Sequence, residues 1–158
     1  MATQTFPHQQ LAARRAVPLT AEFRQLRCDI ARWALAHGRP CNLDAITVVL
    51  AAKATEAHIE RRPLHRWTAS GIATFLLGST ADFLRRHDVR RPDSYGETLF
   101  TYVAYLADQG LLSSGSAPRS ELLSAVSEVA GLTRSGREPL RRGAVSDVRP
   151  LPQRAAVR

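Results

Sequence analysis

The sequence predicts an all-α protein: a compact bundle of five or six short helices with disordered basic termini. Three observations carry this. Apolar side chains recur at three- and four-residue steps in successive segments, the period of a helix face. Those segments are bounded by residues that start and stop helices, and no run alternates with the period of two that a half-buried strand needs. At 158 residues the chain is long enough for one domain with its own core. The bundle is assigned to residues 20–131, between a flexible N-terminal arm (1–19) and an Arg- and Pro-containing basic tail (132–158).

In the arm, Pro7 and Pro18 punctuate a polar, alanine-rich stretch. Thr20 is the expected cap of a first helix reaching about His37, with Glu22 in the first turn where a negative charge complements the dipole. Phe23, Leu26, Ile30, Trp33 and Ala34 form its inner face, Gly38 stops it, and Pro40 prevents continuation. Asn42 caps the second helix, which turns Ile46, Val49, Leu50, Ala54 and Ala57 inward. That helix should fail at Arg61-Arg62, because Pro63 disfavours helical geometry in the residue before it.

Trp67 stands as a hydrophobic residue just before an N-cap, Thr68, and a third helix carries Ile72, Phe75 and Leu76 inward. At Gly78-Ser79-Thr80 two readings exist. Either the helix breaks and Ser79 or Thr80 caps a short successor to Arg86, or it continues, since Phe83 and Leu84 are in phase with Phe75 and Leu76. The poor helix propensity of Gly and the capping habit of Ser and Thr favour the break.

The clearest segment spans Ser94 to Leu112. Ser94 followed by Glu97 has the spacing of a capping box. Tyr95, Leu99, Tyr102, Val103 and Leu106 then share one face, while Tyr105 lies off that stripe and is assigned to an interface. Gly110 ends the helix and Leu111 can fold back on its last turn. Pro118 suits the start of a last helix with Leu122, Ala125, Val126 and Val129 inward and Gly131 as its stop.

The net charge of +8 is concentrated at the ends. Residues 20–131 hold 13 basic and 12 acidic side chains, whereas residues 132–158 hold seven arginines against Glu138 and Asp147. A tail of that composition cannot bury enough apolar surface to offset its ordering entropy, yet it attracts polyanions. Of the 22 basic residues only Lys53 is a lysine. Two cysteines, Cys28 and Cys41, exclude a disulfide-dense scaffold and a four-cysteine zinc site, and fit a reducing cytoplasm. Neither a signal-peptide run nor a membrane-length apolar stretch is present, so no membrane association is expected.

Cys28, His37 and Cys41 form a C-x8-H-x3-C array that matches no standard zinc spacing, and Cys28 faces away from His37 on one helix. They are assigned as ordinary thiols and a helix-terminal histidine, and no metal or cofactor is expected. His87 to Arg90 resembles the H-x-x-R element of the tyrosine recombinase active site. That chemistry also needs a nucleophilic tyrosine well downstream, and Tyr105, the last tyrosine, falls inside a predicted helix. Catalysis by that route is rejected. No other nucleophile, phosphate loop or carboxylate pair stands out, so the chain is read as a non-enzyme.

Two arginine patches remain: Arg61, Arg62 and Arg66, with His65 among them, and Arg85, Arg86, Arg90 and Arg91. Both stand at predicted helix C-termini, where cations oppose the negative end of the dipole. If they converge they can instead hold phosphates or an acidic protein partner. The expected function is a helical binding module, accessory or regulatory in nucleic-acid transactions. The alternative is a protein-interaction adaptor or small oligomeric scaffold with no nucleic-acid role.

Overall fold

Five helices and no strand make up residues 17–132, the part of the chain that the computed structural model describes. The expected basic tail and most of the expected N-terminal arm lie outside the described residues. The helices are α1 (Ala21–Ala36), α2 (Leu43–Glu60), α3, α4 (Tyr95–Asp108) and α5 (Arg119–Val129). Helix α3 is one continuous rod in three parts: Ala69–Thr74, a π-helical turn at Phe75–Ser79, and Thr80–Arg86.

The local signals act as their chemistry dictates in three of the helix starts. Thr20 Oγ1 accepts from Phe23 N, Asn42 Oδ1 from Asp44 N and Ala45 N, and Thr68 Oγ1 from Gly71 N. Gly38, Gly110 and Gly131 follow α1, α4 and α5 with positive φ, the left-handed geometry that closes a helix. Arg61 takes the same geometry at the end of α2 without the help of glycine, directly ahead of Arg62 and Pro63.

Ser94 departs from expectation. It adopts φ 54° and ψ 31°, and its side chain caps nothing, so the capping box with Glu97 does not form. An N-cap hydroxyl reaches back to the helix from extended backbone, which a left-handed Ser94 does not offer. The break expected at Gly78-Ser79-Thr80 does not occur either. The wide turn keeps right-handed helical dihedrals at both joints, and the hydroxyls expected to cap a new helix make tertiary bonds instead. Ser79 Oγ donates to Glu56 on α2, and Thr80 Oγ1 lies 3.0 Å from the Tyr95 hydroxyl on α4.

Helix α4 packs against α1, α2 and α5. Tyr95, Leu99, Tyr102, Val103 and Leu106 are all buried, as their spacing predicts. Tyr105, expected at an interface, is buried too, because Trp33 of α1 meets its ring edge-on at 5.8 Å. Val17 and Leu19, assigned to the arm, are buried against the same core. Where α4 meets the end of α5 the backbones come close: a Cβ on Gly96 would stand 2.7 Å from that of Ala130.

Helix α2 is buried on all sides from Ala45 to Leu50, apolar except for Thr47, which accepts from Arg27, the pattern of a helix surrounded by others. It packs against α1 and α4 and crosses the π turn and last part of α3. Two connectors are stitched together at the other end of α3. Ser113 N donates to His65 O, Ala117 N to Trp67 O, and Trp67 N to Ser116 Oγ.

Candidate functional site

All seven arginines singled out from the sequence have exposed side chains. Arg61, Arg62 and Arg66 belong to the turn after α2; Arg85 and Arg86 end α3, and Arg90 and Arg91 follow it. Arg62 and Arg66 line one cleft, Arg86 lines a neighbouring groove, and Glu56 and Glu60 line both. Arg62 and Arg66 on one side and Arg86 on the other therefore flank the last turns of α2, with Glu56 and Glu60 between them. Some of the charge is already engaged. Arg62 pairs with Glu60 at 3.2 Å, Arg85 with Asp82 at 2.6 Å, and the Arg91 guanidinium lies 5.0 Å over the Tyr95 ring. Exposed pairs of this kind contribute only tenths of a kcal/mol to about 1 kcal/mol, so they leave these side chains free to exchange partners.

The cleft that holds Arg62 and Arg66 is built around a group that sequence reasoning did not single out. Lys53, the chain's only lysine, is 7% exposed at the point where the apolar run of α2 ends. Its ammonium donates to Glu56 one turn on and sits 4.1 Å from the centre of the Trp67 ring, with Phe75 5.7 Å away on the other helix. An ammonium taken out of water needs both a counter-charge and polarisable faces, and it has them here. Both oxygens of Glu56 are used, one by Lys53 and one by Ser79 of the π turn at 2.8 Å. The π turn thus brings a hydroxyl onto a buried ion pair, in keeping with the frequent use of such turns at functional positions.

Thr68, Ser70, Gly71 and Thr74, on the first turns of α3, complete the cleft with Trp67. The indole N–H of Trp67 is buried and has no acceptor among the described residues. Leaving such a donor unpaired costs about 1–3 kcal/mol, which singles it out in an otherwise satisfied interior. Nearby, His65 Nδ1 lies 3.2 Å from the Tyr102 hydroxyl. Burial, and then the charge of Lys53, hold the His65 imidazole below its ordinary pKa, favouring the neutral ring. Burial also pushes the Tyr102 hydroxyl up, so it remains protonated.

The signal for this cluster was present in the sequence as a single lysine in the run Val48–Ala54, a charge on a face otherwise made of valine, leucine and alanine. Its Glu56 partner, three residues on, reads as an ordinary solvated pair until α3 covers it.

Cys28 is exposed, Cys41 is partly buried, and the His37 ring stacks on Trp33 at 4.3 Å. Among the described residues no three His, Cys, Asp or Glu side chains gather as a metal site, and no helix is long and apolar enough to cross a membrane. No family model matches the chain, and neither a curated protein nor a solved structure does.

Proposed function

We propose that the protein is a non-enzymatic helical binding module that acts as an accessory or regulatory component in nucleic-acid transactions. The observation that supports this reading is the exposure of all seven arginines, of which Arg62, Arg66 and Arg86 line adjoining clefts along the C-terminal end of α2. Guanidinium groups on neighbouring turns of a rigid scaffold are suited to successive phosphates, which position a protein on a strand without reading its sequence. The acidic seam of Glu56 and Glu60 divides the basic surface, which fits two separate phosphate contacts better than one continuous positive face.

The test is duplex binding of the full chain across a salt series, with and without Arg85, Arg86, Arg90 and Arg91 changed to Gln. Each lost phosphate contact is expected to weaken binding to all sequences alike and to lower the salt slope by about one unit. Binding with an unchanged slope would remove these residues from the interface.

A second reading, a protein-interaction adaptor or small oligomeric scaffold, is favoured by a different observation. Ile59, 63% exposed, lines the same groove as Arg86, and Leu77 on the π turn is 72% exposed. Absence of duplex binding by the full chain would leave this reading, with an acidic protein as the partner the arginines suit.

A further inference from the structure

We infer that the cleft between the C-terminal half of α2 and the first turns of α3 is a binding site for a single phosphate group. This goes beyond the nucleic-acid reading and does not depend on it, since the phosphate can be a free ion or the terminal group of a strand.

The cleft has a volume near 150 Å³. That is well below the ~300 Å³ at which pockets begin to take whole drug-sized ligands, a size suited to a small anion. Its charged lining is Lys53, Arg62 and Arg66 against Glu56 and Glu60. The Glu56 charge is offset by the Lys53 ammonium, and each of its oxygens accepts one hydrogen bond, from Lys53 and from Ser79. Glu60 is matched by Arg62. Arg66 has no acid within ion-pair distance among the described residues, and its guanidinium rests beside the Gly115 backbone. The uncompensated charge is therefore one guanidinium at the wall of a small cleft.

Ser70 and Gly71, on the first turn of α3, also line the cleft, the Ser70 hydroxyl lies 3.4 Å from that of Thr68, and the N-terminal end of a helix favours an anion. The cap takes only part of that turn, since Thr68 Oγ1 accepts from Gly71 N. The Trp67 ring lies in the wall of the same cleft, and its indole N–H is the buried donor without an acceptor among the described residues. A phosphate suits this set better than a carboxylate because it offers acceptors in three dimensions and pairs with guanidinium forks.

The experiment is calorimetric titration of the full chain with inorganic phosphate at fixed ionic strength, with chloride as the control anion. Trp67 fluorescence in a Trp33→Phe chain gives an independent reading. Saturable binding of phosphate is expected, weakened about tenfold or more by Arg66→Gln and unaffected by Arg86→Gln. No saturable binding, or equal affinity in the Arg66→Gln chain, would overturn the site.

Two strands of one sequence, with and without a 5′ phosphate, then separate the sources. Tighter binding of the phosphorylated strand, lost in Arg66→Gln, assigns the site to a strand end. Equal binding alongside a positive phosphate titration assigns it to the free ion. If neither strand binds, the nucleic-acid reading fails, and the phosphate titration still decides the site.

Discussion

The two halves of α2 are held in opposite ways. From Ala45 to Leu50 every side chain is buried, and all but Thr47, which accepts from Arg27, meet apolar neighbours with no directional requirement. From Lys53 onward the helix is held by named partners: Lys53 to Glu56, Glu56 to Ser79, and the ammonium to the Trp67 and Phe75 rings. Apolar packing tolerates any side chain of similar volume, whereas a buried ion pair fails if one member is lost. The polar half therefore fixes where α3 crosses α2, while the apolar half supplies bulk stability.

Breaking the polar half should have the largest effect. Glu56→Ala leaves Lys53 buried without its counter-charge and is expected to cost about 3–5 kcal/mol in denaturant melts. A cost below 1 kcal/mol would mean that Lys53 reaches water unaided. In the apolar half, Leu50→Ala should cost about 2–5 kcal/mol, according to how far the cavity collapses. The sharpest contrast comes from replacing both charges. Lys53→Met with Glu56→Leu should fall within about 1 kcal/mol of the parent or exceed it.

A smaller effect follows from His65, whose pKa is lowered in the fold by burial and by Lys53. The unfolded chain binds the proton more readily, so this contribution is fully present above its ordinary value of about 6.5 and is lost as pH falls through the lower folded value. Thermal melts should show a loss of stability below pH 6.5 that is reduced in His65→Gln; an identical pH profile would exclude His65 as its source. The smallest effect is at the surface. Arg85→Gln removes an ion pair with Asp82 whose arginine is 75% exposed, and should change stability by no more than ~1 kcal/mol.

The helices were legible in the sequence because their signals are local. Thr20, Asn42 and Thr68 cap within three residues of themselves, and Gly38 and Gly131 stop helices through their own dihedral freedom. What escaped depends on residues far along the chain. Ser79 and Thr80 do not cap because Glu56 and Tyr95 claim their hydroxyls, and Tyr105 is buried because Trp33 covers it. The arginine patches were legible as charge alone. Their division by Glu56 and Glu60, and the position of Lys53 beneath Trp67, follow from the crossing of α2 and α3, which no local pattern encodes.

The stitch between the two connectors has a kinetic consequence. His65 and Trp67 bond to Ser113, Ser116 and Ala117 across separations of about 50 residues, so the loop they close includes all of α3 and α4. Closing a loop of that length carries an entropic cost before its bonds return anything, whereas contacts between successive helices close early. The stitch is thus expected to form after the rate-limiting step of folding. Ser116→Ala should leave the refolding rate nearly unchanged while accelerating unfolding, a low φ-value that stopped-flow chevrons would read directly. The α2–α3 and α4–α5 connectors would then act as a latch on the assembled bundle, governing how long the native state persists once formed.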